Sequence, residues 1–420
     1  MTAPFAPDFI AAVRAAEGAL RPIFDPTPLQ RNDYLSAKHR AEVWLKREDL
    51  TPVRSYKIRG AANAMRKALA ADPARRRFVC ASAGNHAQGM AFACRHYGTE
   101  GVVFMPVTTP QQKIDKTRQF GGGNVEIRLV GDYFDNTLAS AQAYCVQAGA
   151  TFLPPFDSAD VIEGQATCAV EILDQLPEGV TADVLVLPVG GGGLAAGMVR
   201  AFDALSPGTG FRFVEPAGGP SLRAALEAGA VVTLPKVDNF VDGAAVARIG
   251  ELNFAELKRF APQDVLIAPE DRICGTMVEL LNVEGIVLEP AGALSVDALR
   301  DIDLAGRTVV AVVSGGNFDF DRLPDVKERA LRFERRKKYY ILRLPQRPGA
   351  LREFLGVLGP HDDISRFEYL KKSARNFGSV LLGIESGGQA DFDGLEARMT
   401  AAGFAFQDIT DDTVITSLII

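Results

Sequence analysis

Six short apolar runs, separated by helix-like stretches, constrain the fold of this chain more than any other feature of it. RFVCASA (77–83), GVVFMPV (101–107), NVEIRLV (124–130), DVLVLPV (183–189), GFRFVEP (210–216) and TVVAVVSGG (308–316) are rich in β-branched residues and read as strands buried on both faces. Between them lie amphipathic helix candidates such as GNHAQGMAFACRHYG and FDNTLASAQAYCVQAG. Strand and helix alternating from about residue 40 to 320 predict an α/β fold with a parallel, helix-covered sheet. The βα units are numerous enough for two such lobes, and 420 residues exceed what one hydrophobic core supports.

The pattern changes after Asn317. RLPDVKERALRFERRKK (322–338) is dense in charge and reads as a solvated helix or linker. YYILRL (339–344), a helix opening at Pro348, ISRFEYL (364–370), SVLLGIE (379–385), the helix DFDGLEARMTAAG and a short terminal strand follow. That β-α-β-β-α-β order predicts a ferredoxin-like α+β domain. The predicted division is therefore 1–320 for the α/β part, 321–338 for the charged connection and 339–420 for the last domain.

Charge and cysteine usage narrow the function. A net charge of −6 argues against nucleic acid and anionic membrane surfaces as partners. The first twenty residues lack a basic start and carry Asp8, unlike a secretory signal, and no apolar run nears the roughly 18 residues of a membrane span. The five cysteines form no CxxC pair and read as reduced, packed thiols of a cytoplasmic protein. The four histidines show no metal-ligand spacing, so no metal is predicted.

Four segments carry candidate chemistry. DVLVLPVGGGGLAAGMVRAF runs from a strand through Gly190, Gly191, Gly192 and Gly193 into a helix from Leu194. Without Cβ atoms, successive N–H groups can turn toward one point, where the helix N-terminus adds partial positive charge. This suits a phosphate monoester. A linker is rarely framed by a buried strand and an Ala-rich helix, and a dinucleotide site would need GxGxxG spacing. In SYKIRGA (55–61), Lys57 precedes a helical run. Most lysines are solvated, but at a helix start the dipole lowers the pKa and favours the free amine that Schiff-base chemistry requires. In CASAGNHAQG (80–89), Ser82, Ala83, Gly84 and Asn85 lie between a strand ending at Cys80 and a helix, and their amides suit a carboxylate. N-capping by Ser82 or Asn85 is compatible with that use. His86 has no visible carboxylate partner and reads as structural. In VVAVVSGGN (309–317), Ser314 sits at the carboxyl end of a strand, where open α/β sheets bind ligands; a serine in a glycine turn is the plainer alternative.

Together with KREDL (46–50), PFDSADVIEGQAT (155–167), VEP (214–216) and LEPAGA (288–293), these segments resemble the fold-type II (tryptophan synthase β-like) pyridoxal-phosphate enzymes, specifically the threonine dehydratase family. The resemblance covers almost the whole chain. It implies pyridoxal 5′-phosphate as cofactor, its aldehyde carried by Lys57 and its phosphate held by Gly190 to Gly193 and Leu194. It further implies Asn85 at the ring O3′, Ser314 at the pyridine nitrogen, and the loop of Ser82, Ala83, Gly84 and Asn85 on the substrate carboxylate. A neutral hydroxyl at that nitrogen, in place of a carboxylate, implies β-elimination over transamination. The implied reaction converts L-threonine to 2-oxobutanoate and ammonia, the first step of isoleucine biosynthesis, with Lys57 as general base.

Residues 339–420 resemble the family's ACT-like regulatory module, which implies isoleucine as inhibitor and valine as a second effector. One copy is present where the long form carries two. The family also implies a homotetramer or homodimer. Relatives bind a cation beside VEP; Glu215 is present, but Gly219 and Ser221 stand where some carry ligands, which leaves a monovalent ion held by carbonyls open. L-Serine dehydratase or serine racemase activity on the same scaffold is the nearest rival. Racemisation needs a second acid/base on the opposite ring face, which Tyr56 and the 82–85 loop leave unresolved. An amino-acid sensor on a dead scaffold is disfavoured by the intact Lys57, Asn85, glycine tract and Ser314.

Overall fold

The six predicted strands form where the apolar runs place them and are shared between two sheets. The structure is a computed structural model that describes residues 5–370 and 376–412; residues 1–4, 371–375 and 413–420 of the predicted domains lie outside the described residues. The chain divides into two compact units, 1–270 with 285–319, and 271–284 with 320–420.

The first unit holds β1 (Leu29–Arg31), β2 (Glu42–Arg47), β3 (Arg77–Ala81), β4 (Glu100–Met105), β5 (Val125–Leu129), β6 (Thr151–Phe152), β7 (Val184–Pro188), β8 (Gly210–Pro216), β9 (Val265–Ala268) and β10 (Thr308–Val313). The larger sheet has the order β1-β2-β10-β7-β8-β9 and the smaller β5-β4-β3-β6. Every described pairing is parallel except β1 with β2 at the sheet edge. β7 is buried along its whole length and β10 from its second residue on, as helix cover on both faces requires.

Helices meet at close range where glycine permits it. Helix Ala159–Gln175 lies against helix Lys57–Ala71: a Cβ at Gly164 would come within 2.6 Å of the Arg59 carbonyl oxygen. Its other side meets helix Gly193–Leu205, where a Cβ at Gly197 would come within 2.6 Å of the Ile162 carbonyl oxygen. Helices Lys57–Ala71 and Gly193–Leu205, whose starts matter below, are thus both packed backbone to backbone on helix Ala159–Gln175.

The second unit contains β11 (Lys337–Pro345), β12 (Asp363–Leu370), β13 (Phe377–Glu385) and β14 (Ala405–Asp408), with helix Ala350–Leu355 after β11 and helix Gln389–Ala401 after β13. The antiparallel sheet has the order β12-β13-β11-β14, the ferredoxin-like arrangement expected from the sequence. Tyr340, Leu342, Val380, Leu382 and Ile384 point from the sheet into a core with Phe354, Phe392, Leu395 and Met399. The charged segment departs from expectation. Leu323–Phe333 is a helix, but Lys337 and Lys338 belong to β11 and are only 8% and 6% exposed. Ion pairing compensates their burial: Lys337 meets Glu328 and Glu385, and Lys338 meets Glu396 and Asp408.

Candidate active site

Three of the four candidate segments lie at the carboxyl ends of β3, β7 and β10, and the fourth opens the helix between β2 and β3. After β7 the chain passes through Gly190–Gly193 into helix Gly193–Leu205. Gly192, at φ 89, takes the left-handed conformation at the helix N-cap, and no side chain caps the helix. The Gly191 carbonyl accepts from the Asn253 side-chain amide at 2.6 Å and the Gly250 amide at 3.1 Å, which fixes the tract. Side chains are excluded here: a Cβ at Gly191 would overlap the Phe156 ring, and one at Gly190 would stand 2.9 Å from the Ala244 carbonyl oxygen. The Leu194 side chain is buried in the core, so its part in holding an anion rests on its amide alone.

Lys57 is the first residue of helix Lys57–Ala71, as the sequence predicts. The segment before it is stitched to the end of β10. The Tyr56 amide donates to the Ser314 carbonyl at 3.2 Å, Ser55 bridges Gly315, and the Gly316 amide donates to the Arg54 carbonyl at 2.9 Å. Lys57 Nζ donates to the Pro155 carbonyl at 3.0 Å, with the Tyr56 and Phe156 ring centroids 5.3 and 5.9 Å away. Burial pushes its pKa down to about 8, against the upward pull of Glu289. A free amine is therefore accessible near neutral pH, and the dominant cause is burial rather than the helix dipole invoked from sequence.

β3 ends at Ala81, one residue later than expected, and helix Asn85–Tyr97 begins at Asn85. Its N-cap is Gly84 rather than Ser82 or Asn85, and no side chain caps it; Ser82 Oγ instead accepts from the Gly84 amide at 3.2 Å. Ser82 to Asn85 are partly exposed. Asn85 Nδ2 donates to Glu289 Oε1 at 2.6 Å, and Asn317 Nδ2 donates to Asn85 Oδ1 at 2.8 Å. One of the two Asn85 amide hydrogens remains for a ligand. Ser314, 4% exposed, donates from Oγ to the Ala291 carbonyl at 3.1 Å.

Two features escaped the sequence reading. Glu289, within LEPAGA, is 6% exposed and bonded to Asn85; burial pushes its carboxyl up to about 7, and Asp242 adds to the shift. The segment Asp242–Ala244 reaches both Glu289 and the glycine tract. Only membership of a quoted motif could have flagged Glu289, since spacing gave it no role. His86 is held by its Nε2 contact with the Leu153 carbonyl at 2.9 Å, and burial pushes it down to about 4, leaving a neutral structural imidazole. Glu215 accepts from the Leu222 and Arg223 amides at 2.7 and 2.9 Å, and burial pushes it up to about 8. The described residues contain no cluster of three or more metal-ligating His, Cys, Asp or Glu side chains.

An uncapped glycine cradle, a second uncapped helix start, a lysine that can deprotonate and a buried hydroxyl fit a phosphorylated aldehyde cofactor with an amino-acid substrate. Known proteins agree. Residues 20–315 match the family of pyridoxal-phosphate dependent enzymes, and residues 328–419 match the C-terminal regulatory domain of threonine dehydratase. The chain is 48% identical over 398 residues to the biosynthetic L-threonine dehydratase IlvA of Bacillus subtilis, covering 94% of this chain and 93% of that protein. It is 44% identical over 406 residues to the IlvA of Staphylococcus aureus, covering 96% of each. Among solved structures, the processed form of threonine deaminase isoform 2 from Solanum lycopersicum superposes with a TM-score of 0.71 at 33% identity, covering 78% of this chain and 95% of that one. Maize serine racemase superposes with a TM-score of 0.68 at 25% identity, covering 77% and 98%. The chain belongs to the biosynthetic threonine dehydratase family of pyridoxal-phosphate-dependent enzymes.

Proposed function

We propose that this protein converts L-threonine to 2-oxobutanoate and ammonia with Lys57 as the cofactor-bearing lysine and general base. The observation that carries the assignment of Lys57 is its setting: a partly buried amine pushed down to about 8 and tied through Tyr56 to the Ser314 carbonyl. Gly190 to Gly193 and the Leu194 amide would hold the phosphate, Asn85 would meet the ring oxygen, and Ser314 would meet the ring nitrogen. Bound pyridoxal phosphate supplies covalent attachment for the substrate amine and withdraws electrons from the α-carbon. The 82–85 loop holds the substrate carboxylate on the uncapped helix start. Lys57 Nζ, once free of the cofactor, would take the α-proton. Glu289 fixes the Asn85 side chain from the side opposite Asn317.

The division into a catalytic domain (1–320), a connection (321–338) and a regulatory domain (339–420) belongs to the same proposal. So do isoleucine and valine as effectors, a homotetramer or homodimer, and a cytoplasmic location, the last supported by five unpaired buried cysteines.

Steady-state release of 2-oxobutanoate from L-threonine and pyruvate from L-serine, with and without isoleucine, tests the substrate assignment. We expect kcat/KM to favour threonine by about tenfold or more, the worth of one added methyl in a fitted pocket. Equal or reversed preference, or net formation of D-serine, would favour the serine dehydratase or racemase reading. A second expectation concerns pH. Capture of added pyridoxal phosphate by cofactor-free protein needs unprotonated Lys57, so its rate should rise with pH through about 8 and then level. A rise that continues to the ordinary lysine range near 10.5 would show that burial does not tune Lys57.

A further inference from the structure

Away from these residues lies a buried ion cluster whose side-chain hydrogen bonds, among the described residues, reach none of those assigned to substrate or cofactor above. Arg59 is fully buried, and its guanidinium is bound on every nitrogen. Nε and Nη2 donate to Glu48 at 2.7 and 2.8 Å, and Nη1 and Nη2 donate to Glu171 at 2.8 and 2.7 Å. Thr167 and Thr27 hydroxyls accept from Nη1 and Nη2 at 3.0 and 3.1 Å. Lys46, equally buried, donates to Glu171 at 2.7 Å and to the Thr27 carbonyl at 2.6 Å. Arg21, a quarter exposed, adds a third cation to Glu171 at 2.6 Å, so two buried cations and two buried carboxylates are joined to the surface by one further ion pair.

Such a cluster is poorly explained by stability alone, because well-packed apolar side chains usually serve a core as well or better. Its geometry suggests another role. Residues two apart on a helix point to nearly opposite sides, so Arg59 anchors from behind the same helical turn that presents Lys57. Lys46 lies on β2 opposite Val312 of β10, two residues before Ser314. Glu171 lies on the helix that follows Pro155, the carbonyl acceptor of Lys57. The helix that opens at Lys57, the strand paired with the one that leads to Ser314, and the helix that follows Pro155 therefore each place a residue in one cluster.

We infer that the buried Lys46–Glu48–Arg59–Glu171 cluster is a positioning device that sets the rotation of the Lys57 helix start relative to β10 and the 155–156 segment. The inference rests on the reading of Lys57 given above. Arginine is suited to this because its planar fork fixes direction as well as charge, which a lysine ammonium cannot do.

The test compares full-length cofactor-loaded enzyme with Arg59→Lys, which keeps the charge and loses the fork, and with Thr167→Val, which removes the hydroxyl that accepts from Nη1 and donates to the Gly164 carbonyl and is the milder change should the lysine variant fail to fold. The expected result is a fall in kcat of about tenfold or more for Arg59→Lys, with KM for threonine within about twofold, as displacement of a reacting group produces. The pH midpoint of cofactor capture should move with it, and Thr167→Val should shift both in the same direction by less. A lowered melting temperature with unchanged kcat and unchanged capture midpoint in a folded variant would overturn the proposal and leave the cluster purely structural. Cofactor capture needs no substrate, so a protein inactive on threonine would sink the substrate reading without deciding this one.

Discussion

Lys57→Ala should abolish turnover, lowering kcat/KM by about 10⁴-fold or more, because in the proposed mechanism one nitrogen both carries the cofactor and accepts the α-proton. Neighbouring lysines are committed elsewhere. Lys46 is sealed into the ion cluster with Glu171, and Lys113 is paired with Asp242. The substitution should leave folding nearly intact, changing stability by less than about 1 kcal/mol, since it removes only a partly exposed cation. Circular dichroism and a melting curve separate loss of chemistry from loss of structure. The variant should also lack the visible absorbance of lysine-bound cofactor. Retention of that absorbance together with activity would move the chemistry away from Lys57.

Gly191→Ala should cost about 100-fold in cofactor affinity, equivalent to about 2–3 kcal/mol of forced displacement. A Cβ there would overlap the Phe156 ring, which is backed by its own chain, with the Phe156 carbonyl 3.0 Å from where a Cβ at Gly193 would stand. Phe156 directly follows Pro155, whose carbonyl accepts from Lys57 Nζ, so a shift of the Phe156 backbone would move that acceptor as well. The single methyl therefore disturbs the phosphate cradle and the lysine together. Titration of cofactor-free protein with pyridoxal phosphate measures the effect, and wild-type affinity in a folded variant would show that the tract does not bind phosphate.

The legible parts of the chain were those in which neighbours in sequence determine structure. β7 and β10 are continuous apolar runs, and burial on both faces leaves that imprint directly. The ferredoxin-like order after residue 338 was readable for the same reason, each strand being bounded by turn residues. The glycine tract and Lys57 could be read because a strand–glycine–helix sequence and a helix start are local features. Other parts depend on partners far along the chain. Base rates place Arg59, Lys46 and Glu48 at the surface; Arg59 offsets the burial of Glu48, while Arg59 and Lys46 both depend on Glu171, more than a hundred residues away. Lys337 and Lys338 looked solvated for the same reason, although Glu396 and Asp408 receive Lys338 inside the second unit. β6 has two residues and β1 three, too short for either period to register. Glu289 gains its role from Asn85, which lies 204 positions away.

Reduction of the cofactor-loaded enzyme with borohydride, followed by peptide mapping, tests the central claim most directly. The account predicts a phosphopyridoxyl group on the peptide bearing Lys57 and on no other lysine. A label on another lysine such as Lys46 or Lys113, or a fully active enzyme that takes no label at all, would contradict it.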